Sequence, residues 1–162
     1  MRHLTIRRAT VADADAVGQL AFELFSELTA APGDSLDALR GTTRRVLNSG
    51  DTVWAFLGLE SETPIAIMTL NECTAIYAGG RFGEICELYV RPDVRGESLG
   101  KQLLAVAVNL AREREWRRIE VGAPALPQGQ RTIAFYERCG FTTIGPRLKL
   151  ELGQFLSSRN LR

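Results

Sequence analysis

The chain has 162 residues, 45% of them hydrophobic and 24% charged, with a formal net charge of +1. That length suits one domain with a core that needs no metal or disulfide staple. The balanced charge argues against a strongly basic nucleic-acid binder. No apolar run reaches the ~20 residues of a bilayer span, and charges interrupt the start, Met1 to Arg8, before any signal core can form. Neither nucleic acid nor membrane is therefore expected as a partner, and the cytoplasm is the expected location. Cys73, Cys86 and Cys139 are odd in number and not at metal-site spacing, so they read as buried, reduced residues. The single histidine, His3, lies too near the chain start for a His triad or a zinc site, and no metal is expected.

A first strand is predicted over Leu4–Arg8. Thr10 then starts a helix with Asp13 as a capping partner three residues on, and Val17, Leu20, Ala21, Leu24 and Leu28 follow helical spacing until Pro32-Gly33. A second helix is predicted from Ser35 to Leu47. Three strand-like runs follow, Thr52–Glu60, Pro64–Tyr77 and Gly83–Val90, with Gly79-Gly80 as a hairpin turn. A turn-rich loop from Arg91 to Gly100 leads into a helix whose apolar face is Leu99, Leu103, Val106, Ala107 and Leu110. A short strand, Arg118–Gly122, a helix over Gln130–Cys139 ended by Gly140, and a final strand or hairpin over Phe141–Leu152 complete the order. The expected fold class is α/β (α+β): a mixed, mostly antiparallel sheet of six to seven strands with helices on both faces. One domain is expected over 1–154, with a loose tail at 155–162.

The strand Glu84 to Val90, the glycine-containing loop and the helix N-terminus together form an anion-binding arrangement. The first-turn N–H groups of a helix lack internal partners, and its dipole favours negative charge there. Gly96 and Gly100 let a ligand approach the backbone, and Arg95 and Lys101 add positive charge. The pattern fits neither the P-loop nor the Gly-x-Gly-x-x-Gly fingerprint, so a pyrophosphate held otherwise is the better reading.

The run Leu88-Tyr89-Val90-Arg91-Pro92-Asp93-Val94-Arg95-Gly96-Glu97-Ser98-Leu99-Gly100-Lys101 resembles motif A of the GNAT acetyltransferase superfamily, written Gln/Arg-x-x-Gly-x-Gly/Ala. Arg95 fills its first position, Gly100 its last, and Ser98 replaces the middle glycine. Ala134-Phe135-Tyr136-Glu137-Arg138-Cys139-Gly140-Phe141 resembles the family's Tyr-Glu-x-x-Gly-Phe segment. The usual Asn seven residues before the Tyr is Gly129 here, and the usual Ala four before it is Thr132. The order of elements matches the family over roughly residues 4 to 152.

The resemblance implies an acetyl-CoA-dependent N-acetyltransferase that moves an acetyl group to a primary amine of a small molecule or peptide by direct attack in a ternary complex. Acetyl-CoA is then a co-substrate, held by Leu88, Tyr89, Val90, Arg95, Gly96, Glu97, Ser98, Leu99, Gly100 and Lys101. Tyr136 is the family's usual acid for the departing thiolate; its alternative is a core aromatic between Phe135 and Phe141. Glu87 is the candidate base, with Glu84, Glu72 or a water chain as rivals, and a backbone N–H near Leu88 to Val90 is the expected oxyanion donor. The acceptor site is expected from Glu23, Glu27, Glu72, Tyr77 and Arg81, with Glu23 and Glu27 reading as solvated faces and Arg91 as a solvated surface charge. A homodimer is implied only by the family's habit. The alternative to an enzyme is a non-catalytic CoA-binding sensor or regulatory module on the same fold.

Overall fold

The computed structural model describes residues 4–29, 33–96 and 98–155, and the chain divides into two compact units, Met1–Val121 and Gly122–Arg162. His3, Pro32, Glu97 and 156–162 lie outside the described residues.

Among its described residues the first unit carries five strands: β1 (Leu4–Arg8), β2 (Val53–Glu60), β3 (Thr63–Ala75), β4 (Gly80–Val90) and β5 (Ile119–Val121). They lie side by side in that order, β1 to β4 antiparallel and β5 parallel to β4. Its helices are α1 (Ala14–Leu28), α2 (Leu36–Leu47) and α3 (Leu99–Glu113). The second unit holds α4 (Gln130–Arg138) and the short α5 (Leu152–Phe155).

The expected six to seven strands are five among the described residues, because the segment predicted as a final strand, 141–151, forms none. Gly145 there takes a positive φ of 137° and Pro146 has no N–H to offer a ladder. The alternating apolar residues Ile144, Leu148 and Leu150 are exposed, so no sheet face rewards the extended pairing.

Local chemistry accounts for the element ends. The Thr10 N–H donates to Asp13 Oδ2 at 2.8 Å, and Asp13 also takes a two-pronged ion pair from Arg7 (2.8 and 2.9 Å), so the predicted cap is built, leading through a single 3-10 turn into α1. Ser35 caps α2 by accepting from the Ala38 N–H. The β3–β4 turn closes on Gly79, whose φ of 71° suits a glycine and whose N–H reaches the Ile76 carbonyl at 3.0 Å.

The sheet is covered on both faces. Ala55, Leu57 and Leu59 of β2, Ile67 of β3 and Tyr89 of β4 pack with Val17, Leu20 and Ala21 of α1. The alternate residues face the other way: Gly58 pairs with Ala66, and a Cβ at Gly58 would lie 3.3 Å from a Leu99 methyl, so α3 covers that face. Every β3 residue from Ile65 to Leu70 is buried, which explains why that run is almost continuously apolar. Each fully buried Leu, Ile or Met in it contributes about 1.5–3 kcal/mol. Gly83 is required by packing, since an added Cβ would sit 2.3 Å from the Trp116 ring.

Trp116 and Arg114 also settle the role of Glu72. Its carboxylate, 9% exposed, accepts from Arg114 Nε and Nη2 at 2.9 Å each and from Trp116 Nε1 at 2.6 Å. Trp54 closes the cluster, edge-on to Trp116 at 5.5 Å and beneath the Arg114 guanidinium at 5.3 Å. The Arg114 hydrogen bonds hold the Glu72 carboxyl below its usual range. A carboxyl with a depressed folded pKa stabilises the fold above its unfolded value, about 4.3, and loses that contribution as the pH falls through the folded value. Glu72→Ala is expected to destabilise the protein by about 2 kcal/mol at neutral pH, leaving Arg114 and Trp116 without their acceptor. In denaturant titrations across pH the gap from the parent should narrow below about pH 4; a gap independent of pH would show that the ion pair contributes nothing.

Candidate active site

The pairing of β3 with β4 slips by one residue at a single place. Thr69 opposes Glu87 and Leu70 opposes Ile85, leaving Cys86 as the extra residue of a β-bulge. In an unbroken strand Ile85 and Glu87 would share a face. The bulge instead sends Ile85 with Leu70 toward α3 and Glu87 with Thr69 toward the face of Ile67 and Tyr89. It also turns Cys86 outward, a correction to the expectation of three buried cysteines: Cys86 is exposed, and Cys73 and Cys139 are half-buried.

Beyond the bulge β4 has no strand paired to one of its sides among the described residues. β5 pairs only with Gly83, Glu84 and Ile85, while β4 runs on to Val90. The directions of the amides follow from two bonds. The Glu87 N–H points to β3, reaching Thr69 Oγ1 at 3.1 Å, and the Arg91 N–H points the same way, to the Ile65 carbonyl at 3.0 Å. Successive amides of a strand alternate between its edges, so the N–H groups of Leu88 and Val90 face the open side. The Val90 carbonyl, which shares that side, accepts from Arg95 Nε at 2.8 Å. Leu88 is half-buried; the Tyr89 side chain belongs to the core, and by the same alternation its N–H faces β3.

The open edge leads into the loop and the start of α3. Gly96 takes φ 90° with nothing within 4 Å of where a Cβ would be. Ser98 adopts φ 64°, the left-handed conformation that the family pattern gives to glycine, and its hydroxyl accepts from Gln102 Nε2 at 3.1 Å. Ser98 makes no side-chain cap to the helix, so the first-turn N–H groups of α3 keep their capacity for an anion. The Leu99 side chain is buried, Gly100 is half-buried and Lys101 is exposed, so Leu99 and Gly100 can offer an anion only their backbone. Glu97, expected among the cofactor contacts, lies outside the described residues.

The charges expected to be solvated are instead paired across this loop. Glu23 and Glu27, one turn apart on α1, meet Arg91 and Arg95. Arg91 forks onto Glu23 at 2.9 and 3.0 Å with both groups mostly covered, and Arg95 Nη2 meets Glu27 at 2.6 Å. The reason is positional: α1 packs on the face of Tyr89, which brings its carboxylates over residues 91 to 95. The Arg91 hydrogen bonds hold the Glu23 carboxyl below its ordinary value. Arg95 also lies over the Tyr89 ring at 5.6 Å. Its side chain is thus engaged with protein groups, and what Arg95, Gly96 and residues 98–100 offer an anion is chiefly backbone.

Of the three candidate bases, Glu72 is saturated by Arg114 and Trp116. Glu84 opposes Asn71 and has the Cys73 thiol 3.8 Å from its carboxylate. Glu87 alone lies past the last β5 pair, half-buried on the open stretch of β4. Tyr77 and Arg81 stand at the other end of the strand, roughly 20 Å away at 3.3 Å per residue. There Tyr77 donates to Glu120 at 3.3 Å beneath Arg118, and Arg81 approaches Glu72 and Glu115. They do not join Glu87.

In the second unit, Tyr136 of α4 is buried between the rings of Phe135 and Phe141, each edge-on at 5.2 Å. Burial pushes its phenol well above the ordinary value. α4 ends as expected on Gly140, at φ 93°, with the Phe141 N–H returning to the Tyr136 carbonyl. Gly129 has its own reason: a Cβ there would lie 1.9 Å from the Pro124 carbonyl oxygen, so no side chain fits where the family pattern has Asn.

Residues 19–141 match the acetyltransferase (GNAT) family. The chain belongs to the GNAT acetyltransferase family. A protein from Arthrobacter sp. FB24, named provisionally as an acetyltransferase, is 31% identical, with 91% of this chain and 94% of that one covered and a TM-score of 0.72. A predicted acetyltransferase from Clostridium acetobutylicum, solved with acetyl-CoA, is 20% identical over 94% and 98% of the two chains (TM-score 0.76). An aminoglycoside N-acetyltransferase in complex with CoA is 16% identical over 93% and 95% (TM-score 0.76). No curated protein sequence matches the chain. The GNAT fold is thus present with its mostly antiparallel sheet. Among the described residues there is no cluster of metal-ligating side chains, and no helix is long and apolar enough to cross a membrane.

Proposed function

We propose that this GNAT protein transfers an acetyl group from acetyl-CoA to a primary amine, with the thioester lying along the open edge of β4. The observation that carries the reading is the continuity of that edge. From Cys86 to Val90 it presents a carboxylate and two outward amides, and it runs directly into a helix N-terminus that the Ser98 side chain leaves uncapped. Donors for a carbonyl oxygen and for a pyrophosphate therefore follow one another along a single stretch of chain. The structural neighbour solved with acetyl-CoA supports this choice of co-substrate.

The chemistry divides into three tasks. An amine with a pKa of about 10 must lose a proton before it can attack. Glu87 takes that proton, directly or through one water. The N–H groups of Leu88 and Val90 receive the negative charge that builds on the carbonyl oxygen. Tyr136, a phenol kept protonated by burial, gives its proton to sulfur as the C–S bond breaks, and the second proton shed by the new amide nitrogen restores the phenol, so that one proton in all leaves, on Glu87. First-turn amides of α3, the Gly96 backbone and Lys101 hold the pyrophosphate. No disulfide joins Cys73, Cys86 and Cys139, and the cytoplasm is the proposed location.

The acceptor is a small-molecule or peptide amine. The test is release of free CoA thiol from acetyl-CoA with a panel of kanamycin, spermidine, an alanine-first peptide, a lysine peptide and free amino acids. Turnover with at least one amine, and none without acceptor, is expected. Binding of acetyl-CoA with no turnover on any amine would favour the non-catalytic sensor instead.

A further inference from the structure

We infer that Thr69 is the positioning residue for Glu87, and that it leaves Glu87 Oε1 as the oxygen that accepts the amine proton. The inference rests on the reading of Glu87 as the base. Thr69 stands alone in kind: tyrosine and tryptophan rings aside, it is the one polar side chain among the buried residues described, in the middle of the apolar run Ile65 to Leu70. A buried hydroxyl is costly unless bonded, and both of its bonds here go to one residue. Thr69 Oγ1 accepts from the Glu87 N–H at 3.1 Å, and its only proton is donated to Glu87 Oε2.

The bulge explains why a hydroxyl is needed. Skipping Cys86 breaks the regular exchange of backbone bonds, and the Glu87 N–H, still aimed at β3, finds the Thr69 side chain. Thr69 thus satisfies the amide that the bulge displaces and holds the carboxylate of the same residue. With its proton committed to Oε2 and a lone pair committed to the amide, the hydroxyl has one rotor position left. The β-branched side chain adds a stiff χ1. Glu87, half-buried and with rotatable bonds of its own, is thereby held with Oε2 engaged toward β3, and Oε1 is left for the substrate.

The test is a double-mutant cycle with acetyl-CoA and the amine of the panel that turns over fastest. Turnover is expressed per acetyl-CoA-binding site, so that a partly unfolded preparation cannot imitate a loss. Thr69→Val, which keeps the shape and removes the hydroxyl, should lower kcat ~10- to 10²-fold with KM for acetyl-CoA little changed. Thr69→Ser, which keeps the hydroxyl, should recover most of that loss. In a Glu87→Gln background, Thr69→Val should cost almost nothing further, because there is no base left to position. An equal loss in both backgrounds, or parental kcat in Thr69→Val, would overturn the role of Thr69 while leaving Glu87 in place. Parental turnover in Glu87→Gln alone would remove the base, and the positioning role with it.

Discussion

Glu87→Gln is expected to lower kcat by ~10²–10⁴-fold, the range of general-base assistance, with little change in the affinity for acetyl-CoA. The substitution keeps the size of the side chain and an oxygen that can still accept from Thr69, so the bulge should survive. What it removes is basicity on the open stretch of β4. The loss should be greatest at low pH, where the acceptor amine is most completely protonated and has most need of a base. Toward pH 10 the free amine supplies itself and the gap should close. Steady-state rates against pH in both proteins measure this directly. A constant ratio at all pH values would mean that Glu87 contributes shape or charge and takes no proton. Because Glu72 is saturated by Arg114 and Trp116, it cannot substitute, and Glu72→Ala should alter stability far more than kcat.

Tyr136→Phe is expected to cost ~10²-fold or more in kcat while leaving the fold nearly as stable. The ring packs edge-on with Phe135 and Phe141, and phenylalanine keeps both contacts. The raised pKa bears on the mechanism: a phenol that holds its proton across the working range can give it to a departing thiolate and has no tendency to act as a base. The loss should be largest for acetyl-CoA and smaller for an acetyl donor whose leaving thiolate is less basic. Equal losses for both donors, or none, would return Tyr136 to a purely packing role.

The sequence made the frame of the fold readable because its signals were local. Apolar spacing located α1 and α3, Asp13 marked the start of the first helix and Gly140 the end of α4. The meander from Val53 to Val90 followed from three strand-like runs, with Gly79-Gly80 marking the turn between the last two. The segment after Phe141 misled because Ile144, Leu148 and Leu150 alternate like a strand, and alternation cannot say whether a sheet exists to receive it. The candidate site was legible in residue type and not in geometry. Glu87 stood out as a carboxylate in an apolar strand, and the loop before α3 carried a family pattern. Nothing in the spacing marks Cys86 as a bulge, since a bulge is a relation between two strands. The pairs Glu23–Arg91 and Glu27–Arg95 were hidden for the same reason: each joins residues 68 positions apart, and only the docking of α1 on the Tyr89 face brings them together. A signal for Thr69 was present, a lone hydroxyl in the run Ile65 to Leu70, and it becomes informative only once its partner is known.

The proposed anion site at the start of α3 is tested most directly by thermal unfolding with saturating acetyl-CoA, with ATP and NAD as controls. Ligand at 100 times its dissociation constant stabilises the folded state by about 2.7 kcal/mol. For a chain of this size that corresponds to a rise in midpoint of about 5–10 °C. Such a rise with acetyl-CoA, absent with ATP and NAD, is the expected result. No shift at saturating concentrations would mean that the loop from Arg95 to Lys101 is only a turn, and the assignment of acetyl transfer to this chain would fall with it.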